Sequence, residues 1–409
     1  MDKEQLIDLA NDFLIPFIPG SLIYGEESSN EDDEIVDFIT NAKIAFKTDV
    51  KDDYRIFINR EQPFESKFNN YITEYRVIKS FVETIRSMKR GLSSWYHSDL
   101  RTAIPRRVIA RVLSKNTNSR NTILKIIDTL SQWSERRYEG SPIVASIGFD
   151  SSSLASGINF QDICCEQFIS VISNGLDTLL VLDYGGNISS YQSLEYSNKS
   201  IFSPCRYSSI ANWTTFENIA IVLNTVGEIL IFQNKQLVFA KRSGRWHFLT
   251  HRSSIKQIGE MCMPIVKKSV YETCLDVSFS RTGGCIGIVS KANIKNWKNV
   301  ATSKKDYIEG KGNKSLFYKK IISDTKFQNL DRRLRKEILA TDGAVLIGHD
   351  GTLLAIGAIL CIKGGSEEGG RLAAAKALSD YGIGIKISQD GSIRGYHKSD
   401  YDEPSFRVM

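Results

Sequence analysis

The chain has 409 residues, 42% of them hydrophobic and 24% charged, an ordinary composition for a globular protein of two or three domains. Its formal net charge of +6 is small for this length; it could favour anionic ligands but is too weak to argue for DNA binding. No run of about 18 apolar residues occurs, so the sequence predicts no transmembrane helix. The polar start Met1-Asp2-Lys3-Glu4 lacks the basic and then apolar order of a signal peptide. We therefore expect a cytoplasmic protein that does not contact membranes.

The cysteine and histidine patterns predict neither disulfides nor a metal site. The seven cysteines are scattered and include no CxxC pair, which is typical of reduced, mostly buried residues. His247 and His251 are four positions apart, but no third ligand accompanies them, so we expect no zinc site there.

Helical patterns dominate the first part of the chain. Apolar residues recur every three or four positions, which predicts helices at 3–14, 71–88, 106–113 and 121–133. An acidic, serine-rich loop at 25–34 separates the first two of them.

Basic residues are concentrated in this helical part, with two aromatic residues among them. The set comprises Arg86, Lys89, Arg90, Trp95, Tyr96, Arg101, Arg106, Arg107 and Arg111. A nucleic-acid surface and a solvated helical face both fit this pattern, and we favour the solvated face.

Near Gly140 the pattern changes to short apolar runs separated by turn sequences. These runs predict strands at 143–149, 176–182, 188–191, 219–223, 228–232 and 236–240, with a helix at 160–173. The turn Lys241-Arg242-Ser243-Gly244-Arg245-Trp246 fits an anion contact or a capped strand end, and we favour the strand end.

The last part of the chain reads as helices alternating with hairpins. We predict an amphipathic helix at 254–271 kinked by Pro264, a buried strand at 285–289, and a polar, exposed excursion at 293–315. Further on we predict a basic helix at 327–339, a hairpin at 345–362, an Ala-rich helix at 371–378, a hairpin at 383–396, and a polar, mobile tail after 397.

Two glycine pairs lead into the Ala-rich helix, in the run Gly364-Gly365-Ser366-Glu367-Glu368-Gly369-Gly370-Arg371. Glycines let the backbone approach a ligand, and the first turn of a helix exposes unpaired N–H groups that suit a phosphate. Arg371 in that turn makes better sense beside an anion. The same glycines also suit a tight strand-to-helix connection without any ligand, and the loop alone does not decide between the two.

The order of segments from 341 to 396 resembles the diadenylate cyclase domain, which condenses two ATP molecules into cyclic di-AMP. In that family an Asp-Gly-Ala turn is followed by a hairpin, a Leu-Pro-Leu-Ser-like loop and a Gly-Thr-Arg-His-Arg helix start. The corresponding segments here are Asp342-Gly343-Ala344, Leu360-Cys361-Ile362-Lys363 and Gly369-Gly370-Arg371-Leu372-Ala373. Upstream, Arg281-Thr282-Gly283-Gly284 and the next strand resemble the family's opening strand. The resemblance leaves the first 250 residues unassigned.

The resemblance implies a nucleotide site made of Thr282, Gly283, Asp342, Gly343, Ala344, Leu360, Lys363, Gly369, Gly370 and Arg371. In active members the Asp takes part in metal-assisted activation of the attacking hydroxyl, and the Arg-His-Arg set cradles the phosphates. Here the set reads Arg371-Leu372-Ala373. Each lost group costs roughly 2–4 kcal/mol of transition-state stabilisation, so the departures favour binding over catalysis.

We therefore favour a nucleotide-sensing protein whose cyclase-like domain is catalytically degenerate, binds a nucleotide or cyclic nucleotide, and needs no cofactor. The alternative is an active diadenylate cyclase in which Asp342 acts with Mg²⁺ or Mn²⁺ and two protomers face each other. A third hypothesis is a pure assembly module. Further candidate partners are a second copy of the chain and an effector protein.

The expected fold class is α/β, in three regions and a tail. An N-terminal helical region (1–139) precedes a central mixed α/β region (140–253). A diadenylate-cyclase-like mixed sheet with flanking helices (254–398) and a polar tail (399–409) complete the chain.

Overall fold

A computed structural model describes residues 2–27, 34–49, 52–65, 72–88, 97–152, 157–196, 202–215, 217–362, 369–398 and 404–409. The chain forms two compact units, Met1–Thr250 and His251–Met409. Both combine helices with sheets, which confirms the predicted α/β class. The predicted division into three regions and a tail stays a prediction. Across the described residues, no helix is long and apolar enough to cross a membrane.

The first unit begins with helices and small strands and ends in a large sheet. Its helices are α1 (Lys3–Phe13), α2 (Glu74–Met88), α3 (His97–Leu113), α4 (Thr117–Trp133), α5 (Phe160–Ile163) and α6 (Ser208–Trp213). Its strands are β1 (Leu22–Glu27), β2 (Val36–Thr40), β3 (Lys43–Phe46), β4 (Tyr54–Asn59), β5 (Arg137–Tyr138), β6 (Ser141–Pro142), β7 (Ala145–Phe149), β8 (Thr178–Leu182), β9 (Ile188–Ser193), β10 (Ile219–Leu223), β11 (Ile229–Gln233), β12 (Gln236–Arg242) and β13 (Arg245–Phe248).

A four-stranded antiparallel sheet follows α1, in the order β1-β4-β3-β2. The sequence analysis did not predict it, although it predicted the helices α1 to α4. Both β1 and β2 are only partly buried and carry acidic residues, which gives a weak strand signal. The buried strand β4 supplies most of the apolar surface of this sheet.

A seven-stranded sheet forms the other half of the first unit, in the order β13-β12-β11-β10-β7-β8-β9. Six of its strands fall where the apolar runs predicted them, but β13 was not predicted. Strands β7 and β8 pair in parallel. The predicted helix at 160–173 is wrong. Helix α5 ends at Ile163, the backbone is extended at Glu166, and a 3₁₀ turn follows at Gln167–Val171. Phe168 and Val171 are exposed, so these apolar residues do not share one buried helical face.

The second unit is built around a six-stranded sheet. Its helices are α7 (His251–Gln257), α8 (Pro264–Ser280), α9 (Asn313–Ile322), α10 (Arg332–Leu339) and α11 (Gly370–Ser379). Its strands are β14 (Gly284–Val289), β15 (Ala344–Gly348), β16 (Leu353–Ala358), β17 (Gly382–Ile387), β18 (Ile393–His397) and β19 (Phe406–Val408). The sheet order is β16-β15-β14-β17-β18-β19, and β14 and β15 are parallel. The predicted hairpins and the Ala-rich helix are present.

Four predictions for the second unit are wrong. The predicted helix at 327–339 begins only at Arg332, because the backbone is extended at Leu330 after a 3₁₀ turn. The segment 254–271 is not one kinked helix, because α7 ends at Gln257 and Pro264 begins α8, the first helical position that proline favours. The segment 293–315 is not simply exposed, because Trp297, Val300 and Tyr307 belong to a hydrophobic core. The end of the chain is not a free tail, because β19 pairs with β18.

The sheet of the first unit and the sheet of the second share one topology. Strands β7 to β12 take the places of β14 to β19, and every neighbouring pair has the same direction in both sheets. Each sheet has one parallel pair, β7 with β8 and β14 with β15. The antiparallel pairs β8 with β9 and β15 with β16 each have a register shift at the matching position, after Val181 in the first and after Leu346 in the second.

The two registers also agree residue by residue. Gly148 lies between Val181 and Ala220 in the first unit, and Gly287 lies between Leu346 and Gly384 in the second. The following hairpins both turn on a glycine with positive φ, Gly227 at 78° and Gly391 at 92°. Each unit therefore contains its own version of one sheet, which makes their equivalent positions directly comparable.

Candidate functional site

A cavity of about 550 Å³ opens in the second unit at the N-terminal end of α11. Its walls come from β14, the turn before β15, the end of β16, the start of α11 and the end of β17. The lining residues are Cys285, Asp342, Gly343, Ala344, Ala358, Ile359, Leu360, Ile362, Gly369, Gly370, Arg371, Ala374, Lys386, Ser388 and Gln389.

The Asp342-Gly343-Ala344 turn forms one wall because two glycines allow a close backbone approach. Gly343 has a φ of 89°, and a Cβ there would lie 2.6 Å from the carbonyl carbon of Gly357. Gly357 also has a positive φ, and a Cβ there would lie 2.8 Å from the carbonyl oxygen of Asp342. The Asp342 side chain is exposed, and its Oδ1 accepts a hydrogen bond from the Gly343 N–H at 3.0 Å. The turn therefore presents a carboxylate to the cavity on a tightly packed backbone.

Lys314 on α9 supports this wall through hydrogen bonds to its backbone and to a neighbouring carboxylate. Its Nζ donates to the carbonyl oxygen of Gly357 at 2.8 Å and to Asp306 Oδ1 at 2.6 Å. The other carboxylate oxygen of Asp306 accepts from the Ile359 N–H at 3.4 Å. Lys314 and Asp306 lay within the segment predicted to be an exposed excursion, so the sequence analysis missed this support.

The start of α11 is open. Gly369 is its N-cap with a φ of 94°. A Cβ at Gly369 or Gly370 would meet nothing within 4 Å. The glycines are therefore not packed shut, which the ligand hypotheses require and the assembly hypothesis does not.

Arg371 reaches from α11 toward the turn that precedes β14. Its Nη2 lies 3.4 Å from the carbonyl oxygen of Thr282, and a Cβ at Gly283 would lie 2.3 Å from its Nη1. Thr282 and Gly283 thus border Arg371 and do not line the cavity itself. Leu372 and Ala373, the next two residues, are buried and do not line it either.

Lys386 joins Arg371 as a cation at the cavity, and the sequence analysis did not single it out. It lies directly opposite Cys285 in the sheet. Burial raises the pKa of the Cys285 thiol to about 12, while the charges of Arg371 and Lys386 act in the opposite direction. Both cations therefore lie close to the same buried sulfur, and this part of the cavity carries a positive potential.

The structure brings most of the predicted site residues together. Those lining the cavity are Asp342, Gly343, Ala344, Leu360, Gly369, Gly370 and Arg371. Lys363 lies outside the described residues. The lining residues that sequence reasoning missed include Cys285, Lys386, Ser388 and Gln389. For Lys386 the sequence contains a signal, because a lysine within the isoleucine-rich run of β17 is unusual for a buried strand.

The donors at the cavity suit an anion better than a bare metal ion. Among the described lining residues, Asp342 supplies a carboxylate and Gln389 an amide oxygen. Over the described part of the chain, no group of three or more His, Cys, Asp or Glu side chains is arranged to hold a metal. Mg²⁺ accepts one or two carboxylates when substrate phosphates complete its coordination, so a metal would fit here only together with a phosphate ligand.

Comparisons with known proteins give a weak structural likeness. No family model and no curated protein match the chain. Among solved structures, a double mutant of DacA from Staphylococcus aureus, a diadenylate cyclase, matches with 15% sequence identity. The match covers 39% of this chain and 89% of that chain, with a TM-score of 0.25.

Proposed function

We propose that the second unit binds a nucleotide or cyclic nucleotide in this cavity and acts as a sensor of that ligand. The proposal is carried by the composition of the cavity lining. Two cations, Arg371 and Lys386, line the same cavity as the apolar residues Ile359, Leu360 and Ile362. A volume of about 550 Å³ falls within the range of small-molecule sites. Cations suit the phosphate, and an apolar wall suits the base.

Sensing is favoured over catalysis by the residues that follow Arg371. Where the cyclase family has histidine and a second arginine, this chain has Leu372 and Ala373, and both are buried. Phosphoryl transfer depends on several cations and donors that stabilise charge in the transition state. Binding requires less, because Arg371, Lys386 and backbone groups can hold an anion without stabilising a transition state.

The support behind the Asp342 turn offers a route for signalling. Ligand binding against the turn would act on Gly357, whose carbonyl oxygen accepts from Lys314 on α9. Helix α9 exposes the apolar side chains Leu316, Phe317 and Ile321. An effector protein that binds this surface would respond to a shift of α9 caused by the ligand. This part of the proposal rests on the contact between one lysine and the cavity wall.

Isothermal titration of the full chain against ATP, AMP, cyclic AMP, cyclic di-AMP and their guanine counterparts tests the binding proposal. We expect saturable binding of at least one ligand, weakened about tenfold or more by Arg371→Ala, because a hydrogen bond to a charged group contributes about 1.5–3 kcal/mol. Lys376→Ala is the matched control, since Lys376 lies on the same helix but does not line the cavity. Failure of the whole panel to bind, or equal affinity in the Arg371 variant, would reject the proposal.

The second candidate function is an active diadenylate cyclase, favoured by the exposed Asp342 carboxylate at the cavity. It would need Mg²⁺ or Mn²⁺ brought in with ATP and two protomers facing each other. Incubating the chain with labelled ATP and either metal, at several protein concentrations, distinguishes the two functions. Formation of cyclic di-AMP would replace the sensor proposal with the enzyme.

A further inference from the structure

Three cations lie side by side across the sheet of the second unit, starting at the cavity. Lys386 on β17 pairs with Arg394 on β18, and Arg394 pairs with Arg407 on β19. Residues directly opposite in neighbouring strands share a face, and strands lie about 4.8 Å apart, so the three span about 10 Å. We call them the cation row. Because Lys386 also lines the cavity, the row continues the positive potential outward from the site.

The cation row is costly for the fold. Like charges directly opposite each other destabilise a sheet. In the described part of the chain, no salt bridge joins these three residues to a carboxylate. Asp390 gives partial relief. Its burial favours the neutral acid, but hydrogen bonds from Ser392 and the charges of Arg394 and Lys386 outweigh this and lower its pKa. Among the described residues, Asp390 is one acidic group beside two of the three cations, so its relief is partial.

The first unit shows that this sheet does not require cations. In its version of the sheet, the register places Val222 where the second unit has Lys386, Leu230 where it has Arg394, and Ala240 where it has Arg407. All three are fully buried. The same topology is thus built with an apolar, covered row in one unit and a cationic, accessible row in the other.

The two units also differ at the sheet position that borders the cavity in the second unit. Asn224 in the first unit occupies the position of the cavity residue Ser388. Its side-chain amide donates to Glu228 at 2.8 Å and to the Tyr207 hydroxyl at 3.3 Å. Arg242 in turn donates to Glu228 at 2.7 Å, with both side chains 3% exposed. The first unit fills the position of Ser388 with a buried polar network, and its own cavity, of about 290 Å³, lies beside Val144 and Thr178. The second unit has the larger cavity together with the cation row.

We infer that the cation row is the outer part of the nucleotide site and that it holds phosphates beyond the one bound near Arg371. This inference rests on the proposed function. It gives the ligand class as an adenine or guanine nucleotide that carries a chain of two or more phosphates extending over β17, β18 and β19. A nucleoside polyphosphate and a short oligonucleotide both carry such a chain, and the experiment separates them.

The test compares AMP, ATP and a 5′-phosphorylated tri-adenylate by isothermal titration, with the wild type and an Arg394→Gln/Arg407→Gln double variant. Neither arginine lines the cavity, so AMP should bind both proteins within about twofold. We expect ATP or the trinucleotide to bind the wild type more tightly than AMP and to lose about tenfold or more in the variant. For the single-stranded trinucleotide, the slope of the logarithm of the binding constant against the logarithm of salt concentration should become less steep by about 0.7 per lost phosphate contact. Lys376→Gln is the control for the loss of surface charge.

Each outcome has a distinct meaning. A gain confined to ATP supports the inference with a polyphosphate as ligand, and a gain confined to the trinucleotide supports it with an oligonucleotide. Binding of AMP with no gain from further phosphates, or an unchanged affinity in the double variant, overturns the inference and leaves the proposed function standing. If none of the three ligands binds and the rest of the nucleotide panel also fails, both are overturned. Thermal unfolding of the variant without ligand confirms that it is folded.

Discussion

His247 on β13 is a partly buried imidazole beside two arginines. Burial lowers its pKa to about 4, and the charges of Arg242 and Arg245 act in the same direction. In the unfolded chain a histidine titrates near pH 6.5. Between these values the unfolded state binds more protons than the folded state, so the free energy of unfolding falls as the pH falls. The loss is absent above about pH 6.5 and reaches at most about 3 kcal/mol near pH 4.

Replacing His247 with glutamine should remove this pH dependence. We expect the wild type to lose more stability than His247→Gln between pH 7 and pH 4.5, as measured by denaturant unfolding. The comparison must be made on the change with pH, because the substitution also alters packing at pH 7. Parallel pH profiles for the two proteins would contradict the assignment of a partly buried, neutral imidazole.

Lys386 marks the limit of sequence reasoning at the residue scale. The alternation of Ile383, Ile385 and Ile387 with smaller or polar residues predicted the strand correctly. It did not indicate that the opposite face borders a cavity, because that depends on where α11 begins in space. The Asp342-Gly343-Ala344 turn could be singled out from sequence, since its two constraints, a short acidic side chain and a positive φ, are local. Lys314 could not, because its role depends on Gly357, 43 positions away.

Helix α11 packs on β17 through a glycine. A Cβ at Gly384 would lie 1.9 Å from the carbonyl oxygen of Ala375, so even alanine forces the helix away from the sheet. Overpacking of this kind costs about 1–3 kcal/mol. The equivalent residue of the first unit is Ala220 on β10. The helix that precedes β10 in the sequence, α6, is shorter than α11.

The substitution Gly384→Ala should therefore destabilise the second unit by about 1–3 kcal/mol, measured by thermal or denaturant unfolding without ligand. Gly370→Ala is the matched control, because a Cβ there meets nothing within 4 Å and alanine favours a helix by about 0.5–1 kcal/mol. A neutral effect at Gly384 would mean that α11 does not pack as closely on the sheet as described.

Elements whose signals are local were predicted well from the sequence. The hairpins around residues 349–352 and 389–392 combine apolar strands with Asp-Gly turns, and each element contacts its immediate successor. The whole sheet of β1 to β4 was missed, as was β19. Strands β1, β2 and β19 are short or polar and become strands only through partners in the sheet, whereas the apolar β4 was a visible signal that was not used. The break before Pro264 was misread as a kink, since the sequence alone does not distinguish a proline inside a helix from one that begins a helix.

At the scale of the whole molecule, the second unit carries the cavity with Arg371 and Lys386, whereas the first unit has a buried Val222 at the position of Lys386. Ligand binding should therefore stabilise Met1–Thr250 and His251–Met409 unequally. A ligand at a hundred times its dissociation constant adds about 2.7 kcal/mol to the state that binds it. We expect slower hydrogen exchange in β17 and β18 with ligand and an unchanged rate in the equivalent strands β10 and β11.

Hydrogen-exchange mass spectrometry resolved by peptide measures both pairs of strands in one sample. The two strands of the first unit serve as an internal control, because they have the same topology and comparable hydrogen bonding. Equal slowing in both pairs would show that the ligand stabilises the chain as a whole, and slowing confined to β10 and β11 would place the ligand in the first unit.

The two versions of the sheet also imply opposite tolerance to mutation at matching positions. A lysine at Val222 would bury an unpaired charge, which costs several kcal/mol and unfolds a marginal domain. A valine at Lys386 would relieve like-charge repulsion and remove a ligand contact, so it would favour folding while weakening binding. Selection for a stable fold and selection for an anionic ligand thus act on the same strand position in opposite directions, each in its own half of one chain.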